Sequence, residues 1–431
     1  MRKVIAGILA VVFMLALCIL GWKILNPGFT KVPADELTVP DWKASQKITN
    51  PDYEDYADEY DIVRSTDELG GTAEKYYSKY INYTAPNGKP ICLLAMNEVN
   101  DEQLLYAYDM LSFYLTSTDK IDKNEIANRM AEKNAVLILP NGADRDGKTP
   151  LAAMTLGQNL NYAEIANVGS KWYIDCDFTH RDASFEEIFH LVHDNGIGTT
   201  QNPGAAPEIT QIIANAMINA SPGDSKDWGE KGLWALKAGR LAREWEKEGS
   251  LEQEYIAAVI DCYYGIWEPW TEGEGSMWGS YVAKNRAEIA RKDPVGKAAL
   301  ESFLTENITR MMRVDPSFTG DFIMEYDKTL PYTAKSQYLQ CIALQGANDS
   351  NITANDLDNV LMGNSGSNKI DGRGGNDTVQ FRGSSDEYKI ESTSNGITVN
   401  DTVIGRDGAA ELRNIETLRF TDRNIAAFQE S

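Results

Sequence analysis

Residues 182–198 read "DASFEEIFHLVHDNGIG" and carry two of the chain's three histidines beside two adjacent glutamates. On a helix, Glu186, His190 and His193 fall at i, i+4 and i+7 and form one stripe. Phe185, Ile188, Phe189 and Val192 form a neighbouring apolar stripe that should face a core. Glu187 stands about 60° round the helix from His190. Two ligand side chains one turn apart can hold a divalent metal, and a carboxylate beside them can take a proton from a metal-bound water. That chemistry is hydrolysis. The same letters also allow a structural role. Ser184 to Glu187 has the spacing of a capping box, with Glu187 bonding back to the Ser184 backbone, and Asn195-Gly196 can stop the helix.

A metal held by Glu186 and His190 needs a third protein ligand. "EYIAAVIDCYYGIW" supplies Glu254, followed by Ala257 and Ala258, small enough for close helix packing, with Asp261 on the same face. His193 competes for the position, and His180 in "DFTHRD" is a further substitute or supporting group. Because all three histidines lie between residues 180 and 193, a Ser–His or Cys–His mechanism would have to use this segment too. No G-x-S-x-G turn and no cysteine near a helix start supports one. No phosphate-binding loop or dinucleotide fingerprint stands out.

A second candidate site lies near the C-terminus. Residues 354–380 align in nines as "ANDLDNVLM", "GNSGSNKID" and "GRGGNDTVQ", close to G-G-x-G-x-D-x-U-x. Glycines permit tight turns whose carbonyls can point at calcium, the acidic position supplies charge, and Leu361, Ile370 and Val379 stack as a small core. The candidate calcium groups are Asn359, Gly363, Asn368, Gly372, Gly374 and Asp377, of which only Asp377 is acidic. A Gly-rich cap that holds no ion is the alternative.

These patterns resemble two known families. Residues 345–426, including "FRGSSDEYKI", "GITVNDT" and "ELRNIETLRFTD", are similar to RTX (hemolysin-type) calcium-binding modules, which implies export. Residues 76–335 resemble a gluzincin-type zincin metallopeptidase domain, with Glu186 standing where the first histidine of H-E-x-x-H would be. The second resemblance implies zinc on Glu186, His190 and Glu254, with Glu187 as general base. A carboxylate at the first position neutralises the ion and weakens it as a Lewis acid. A non-enzymatic, calcium-stabilised surface or adhesion protein on a degenerate zincin scaffold is therefore the alternative function.

The elements that must position these groups follow from the wider pattern. At 431 residues the chain is long enough for two or three domains. Its net charge of −23 argues against a nucleic-acid partner and suits an exported or cation-collecting protein. The apolar run of residues 4–22 behind Arg2 and Lys3 is expected to be a signal or membrane-anchoring helix. Extracellular or cell-surface placement follows from that run, and a peptide or surface-polymer substrate is what the metallopeptidase resemblance implies. Four cysteines remain beyond that run, Cys92, Cys176, Cys262 and Cys341, and disulfides or buried thiols are both open. The expected order is an N-terminal hydrophobic helix over residues 1–25, an acidic flexible stalk over 26–75, an α+β zincin-like domain over 76–335 and a small all-β parallel β-roll or sandwich-like module over 345–431. Within the α+β domain, "KPICLLAM", "AVLILP" and "KWYIDCDF" read as strands. The segments "DEQLLYAYDMLSFYLTS", "KNEIANRMAEK", "PEITQIIANAMINA", "GLWALKAGRLAREWEKE" and "LEQEYIAAVIDCYYGIW" read as helices.

Overall fold

The computed structural model describes residues 62–221 and 231–427. The expected anchor at residues 4–22 lies outside the described residues. No helix among the described residues is long and apolar enough to cross a membrane.

The first half is built on a four-stranded sheet of β1 (Lys79–Thr84), β2 (Pro90–Ala95), β3 (Val136–Leu139) and β4 (Gln158–Asn159), in that order. β1 and β2 pair antiparallel, whereas β2–β3 and β3–β4 are parallel. Both faces are covered: Leu93, Leu137 and Leu139 enter the main core, and Leu94 and Ile138 pack with Tyr77, Tyr80 and Met96 on the other side. Burial on both faces is why these strands read as unbroken apolar runs.

Helices α1 (Asp101–Leu115) and α2 (Asn124–Glu132) fall where the periodicity places them. Asn100 caps α1 by accepting from the Gln103 backbone N–H at 2.7 Å, and Gln103 Oε1 accepts the Asn100 N–H in return. Next come α3 (Ser184–Val192), α4 (Pro207–Ala220), α5 (Arg240–Glu248), α6 (Leu251–Tyr263), α7 (Arg286–Lys292) and α8 (Pro294–Glu301).

Three expectations need correction. "KWYIDCDF" is not a strand: Lys171–Asp175 is a short helix whose start is capped by Ser170 and whose end is turned by Cys176 at φ 48°. Its aromatic and β-branched letters imitate strand composition, but the cap and the left-handed residue leave only one turn between them. The helix expected from Gly232 begins at Arg240, because Ala235 and Gly239 both take positive φ. The stalk also joins the fold earlier than its polar composition suggests. Val63 exchanges backbone hydrogen bonds with Tyr80 on β1, and Gly71–Tyr76 is helical.

From Ile308 onward the chain is a coil of alternating strands, interrupted by an α-helical turn at Thr333–Ser336. β5 (Ile308–Val314), β7 (Leu339–Leu344), β9 (Val360–Met362), β11 (Thr378–Gln380) and β15 (Thr417–Arg419) form one parallel sheet, closed by antiparallel β16 (Asn424–Ala426). β6 (Gly320–Ile323), β8 (Ser350–Thr353), β10 (Ser367–Asp371) and β14 (Ala409–Arg413) form the other. It is closed by antiparallel β13 (Gly396–Asp401) and β12 (Tyr388–Thr393). Leu361 and Val379 pair in the first sheet while Ile370 sits in the second beside Ile352. All three of the expected core positions are buried.

The coil starts well before residue 345, where the composition changes. β5 and β7 carry ordinary apolar sequence without Gly/Asn turns, so nothing in their letters marks them as coil. β5 is stitched to α1 by Asp109, which is 1% exposed and accepts from Arg313 Nη1 at 2.6 Å and Arg310 Nε at 3.3 Å.

Candidate metal centre

Helix α3 is held by its apolar face. Phe185, Ile188, Phe189 and Val192 are all buried, each contributing about 1.5–3 kcal/mol of burial. The Phe189 ring meets Tyr114 of α1 at 5.4 Å, and the Tyr114 hydroxyl donates to the Phe185 carbonyl at 2.8 Å. Asp182, rather than Ser184, caps the start. Its Oδ1 accepts from the Ser184 N–H at 3.1 Å, and its Oδ2 accepts from the Tyr106 hydroxyl at 2.7 Å. The expected capping box is therefore absent. Ser184 Oγ has no hydrogen-bond partner, and Glu187 turns elsewhere.

The helix does not stop at Asn195-Gly196 either. Residues His193–Ile197 form a π-turn, and the chain leaves at Gly198 with φ 96°. Gly196 is needed for packing, since a Cβ there would lie 2.6 Å from Ile126 Cγ2 of α2.

Helix α6 packs against α3, and its Ala257 and Ala258 are both fully buried. The crossing brings Glu186, His190 and Glu254 together, with one ligand atom from each lying within 4.8 Å of the others. Two ligands bound to one zinc at about 2.1 Å stand about 3.4 Å apart, a separation that lies within the reach of this cluster. His190 Nε2 is buried with no hydrogen-bond partner, while Nδ1 lies 3.5 Å from Glu187 Oε2. Gln158, on edge strand β4, donates from Nε2 to the same Glu187 oxygen at 2.6 Å. Glu187 and Glu254 are the partly exposed members and open the cluster to solvent.

The electrostatics fit the crowding. Burial opposes a charge on His190, but the Glu187 contact and the charges of Glu254, Glu187 and Glu186 outweigh it and lift its pKa to about 10. Burial likewise raises Glu254, and the neighbouring carboxylates add to that rise. Burial works against the Glu186 charge as well, but Arg181 and His190 hold that carboxylate below its ordinary range. The same carboxylates would attract a divalent cation, which must displace the proton from His190 to bind there.

His193 is not in the cluster. Its phase on an ideal helix matches Glu186, but the π-turn begins at His193, and its ring packs against Phe189 at 5.5 Å. It is completely buried, which pushes its pKa down to about 3. His180 is also elsewhere, stacked on Trp172 at 4.2 Å with Nδ1 2.8 Å from Asp177. The cysteines Cys92, Cys176, Cys262 and Cys341 are all free thiols.

The structure adds Arg181 to the site. Its guanidinium bonds to Glu186 Oε2 and, at 2.8 Å, to Asp261 Oδ2 on α6. Trp267 Nε1 donates to the same Asp261 oxygen at 3.0 Å. Asp261 is visible in the helix pattern, but nothing local marks Arg181, because its partners come from separate segments.

In the coil, the candidate calcium turns are largely filled by amides. Asn359 Nδ2 donates to the Gln340 carbonyl at 3.1 Å and to Asn355 Oδ1 at 3.0 Å. Asn368 Nδ2 donates to the Ser350 carbonyl at 2.8 Å and to Asn364 Oδ1 at 2.9 Å. These amide groups sit against the turn carbonyls, where a cation would otherwise be needed. Gly363 and Gly372 make room for side chains: a Cβ would lie 2.5 Å from Asn368 Oδ1 or 2.4 Å from Asp377 Oδ2. At Gly374 a Cβ would meet Asp356 Oδ1 at 2.9 Å. Asp377 differs from the asparagines. It is 1% exposed, its Oδ1 accepts from the Asn359 N–H at 2.8 Å, and its Oδ2 has no hydrogen-bond partner.

No family model matches the chain, and no match was found among curated proteins or solved structures.

Proposed function

We propose that the protein is a zinc-dependent peptidase with the ion on Glu186, His190 and Glu254. The observation that carries this reading is the convergence of those three ligand atoms from two helices around a buried, unpartnered His190 Nε2. Two carboxylates and one imidazole suit zinc, leaving a fourth position for water. When bound, the ion would polarise a peptide carbonyl and acidify that water. Glu187, braced by Gln158 and partly exposed at the mouth, is the base that takes its proton. An exported, surface-bound enzyme acting on peptides or peptide-bearing surface polymers remains part of the proposal.

Zinc analysis after purification without chelators tests the reading. About one equivalent per chain is expected, and Glu254→Ala should lower retention at least tenfold by removing a ligand. Less than a tenth of an equivalent in the wild type, with no uptake on adding zinc, overturns the proposal in favour of a non-enzymatic surface protein.

The calcium part of the proposal narrows to the turn at Asp377. Millimolar calcium should raise the melting temperature by a few degrees in the wild type and not at all in Asp377→Asn. Without calcium, Asp377→Asn should be more stable by about 1 kcal/mol, because a buried carboxylate oxygen without a partner becomes an amide like those of Asn359 and Asn368. A calcium response that survives Asp377→Asn places the ion elsewhere.

A further inference from the structure

A carboxylate in place of a histidine presents zinc with two difficulties. It can chelate through both oxygens and crowd out the water, and it adds a negative charge that weakens the ion as a Lewis acid. The surroundings of Glu186 address both. Its Oε2 is taken by Arg181, so a zinc ion would fall to the other oxygen. Arg181 cannot swing away easily, because a second arm of its guanidinium is held by Asp261 at 2.8 Å, and Asp261 is itself fixed by Trp267 and has no solvent exposure. The guanidinium lies 5.5 Å from the ring centres of both Trp267 and Trp278. Trp278 reaches that place from a backbone pair, Met277 and Trp278, that both hold positive φ. The Arg181 and Glu186 side chains are 11% and 9% exposed, so their charges act on each other with little screening.

We infer that Arg181 is a positioning residue that restricts Glu186 to one-oxygen ligation and absorbs its charge, so that a carboxylate serves where a neutral imidazole would otherwise be needed. The inference rests on the zinc reading proposed above. Its geometric core is a single planar cation bonded at once to a ligand on α3 and to an anchor on α6. Lysine offers a point charge and cannot span both carboxylates as a fork. Removing the group that orients a ligand typically costs 10–100-fold in metal affinity.

The test compares wild type, Arg181→Gln and Arg181→Lys by zinc competition against a chromophoric chelator and by the visible spectrum of the cobalt(II)-loaded protein. Arg181→Gln should bind zinc 10–100-fold more weakly. Its cobalt bands should lose intensity, because Glu186 becomes free to ligate through both oxygens and raise the coordination number. Arg181→Lys should recover much of the affinity but not the wild-type spectrum. Wild-type affinity and spectrum in a folded Arg181→Gln protein overturn the assignment of Arg181 while leaving the metal site standing. Failure of the wild type to take up either ion overturns both. Should Arg181→Gln not fold, Trp267→Phe removes the bond from Nε1 to Asp261 and part of the ring beside the guanidinium, and it should shift the cobalt spectrum in the same direction; an unshifted spectrum there overturns the inference.

Discussion

Glu187→Gln should reduce hydrolysis of a broad peptide library by 10²- to 10⁴-fold while the protein keeps its zinc, as expected when a general base loses the ability to accept a proton. Glutamine preserves the shape of the side chain, and its carbonyl can still accept the 2.6 Å bond from Gln158. The geometry makes the zinc measurement as informative as the rate. Glu187 also lies 3.5 Å from His190 Nδ1, on the ring nitrogen opposite the unpartnered Nε2. A carboxylate there is the usual brace of a metal-bound imidazole. If Glu187→Gln loses zinc in step with activity, Glu187 is that brace and the base lies elsewhere. Unchanged activity with full zinc overturns both roles.

Asp109→Ala should cost about 3–5 kcal/mol of stability in a urea titration, the largest effect expected from any change outside the metal cluster. Asp109 is buried against Arg310 and Arg313, and its removal takes away a carboxylate that bonds to both guanidiniums, themselves only 20% and 16% exposed. Burial raises the Asp109 pKa against the pull of the two arginines, which shows how much desolvation the ion pairs must offset. Asp109→Asn keeps the shape and removes the charge, so its cost should approach that of alanine if charge dominates. A loss below about 1 kcal/mol for both variants would mean that helix α1 and the coil are held together by apolar packing instead.

Local geometry was legible in the letters, and tertiary geometry was not. Glu186 and His190 stand one helical turn apart, so their shared direction follows from the backbone alone. Glu254 could be chosen because the resemblance to gluzincin-type domains implies a glutamate ligand on a later helix, with small residues beside it. His193 failed for a definite reason: it shares the direction of Glu186 on the wheel but stands seven residues further on, about 10 Å along the axis, and its ring packs onto Phe189 in the core. The cap was misassigned because Asp182 and Ser184 are both good capping residues, and Asp182 is the one that Tyr106 also holds. Arg181 could not be found, since its meaning depends on Asp261 and the two tryptophans arriving from α6 and beyond. In the coil, the Gly/Asn turns were visible while β5 and β7 were not, because those strands carry no turn signature.

The position of β5 bears on how this chain can be cut or recombined. A fragment beginning at residue 345 would lack β5 to β7 and start its sheets without their first partners. A fragment ending before Ile308 would lose the two arginines that neutralise Asp109. The composition invites a division near residue 345 into two modules. The pairings β5–β7–β9 and β6–β8–β10 run straight through that point, so a cut there divides both sheets.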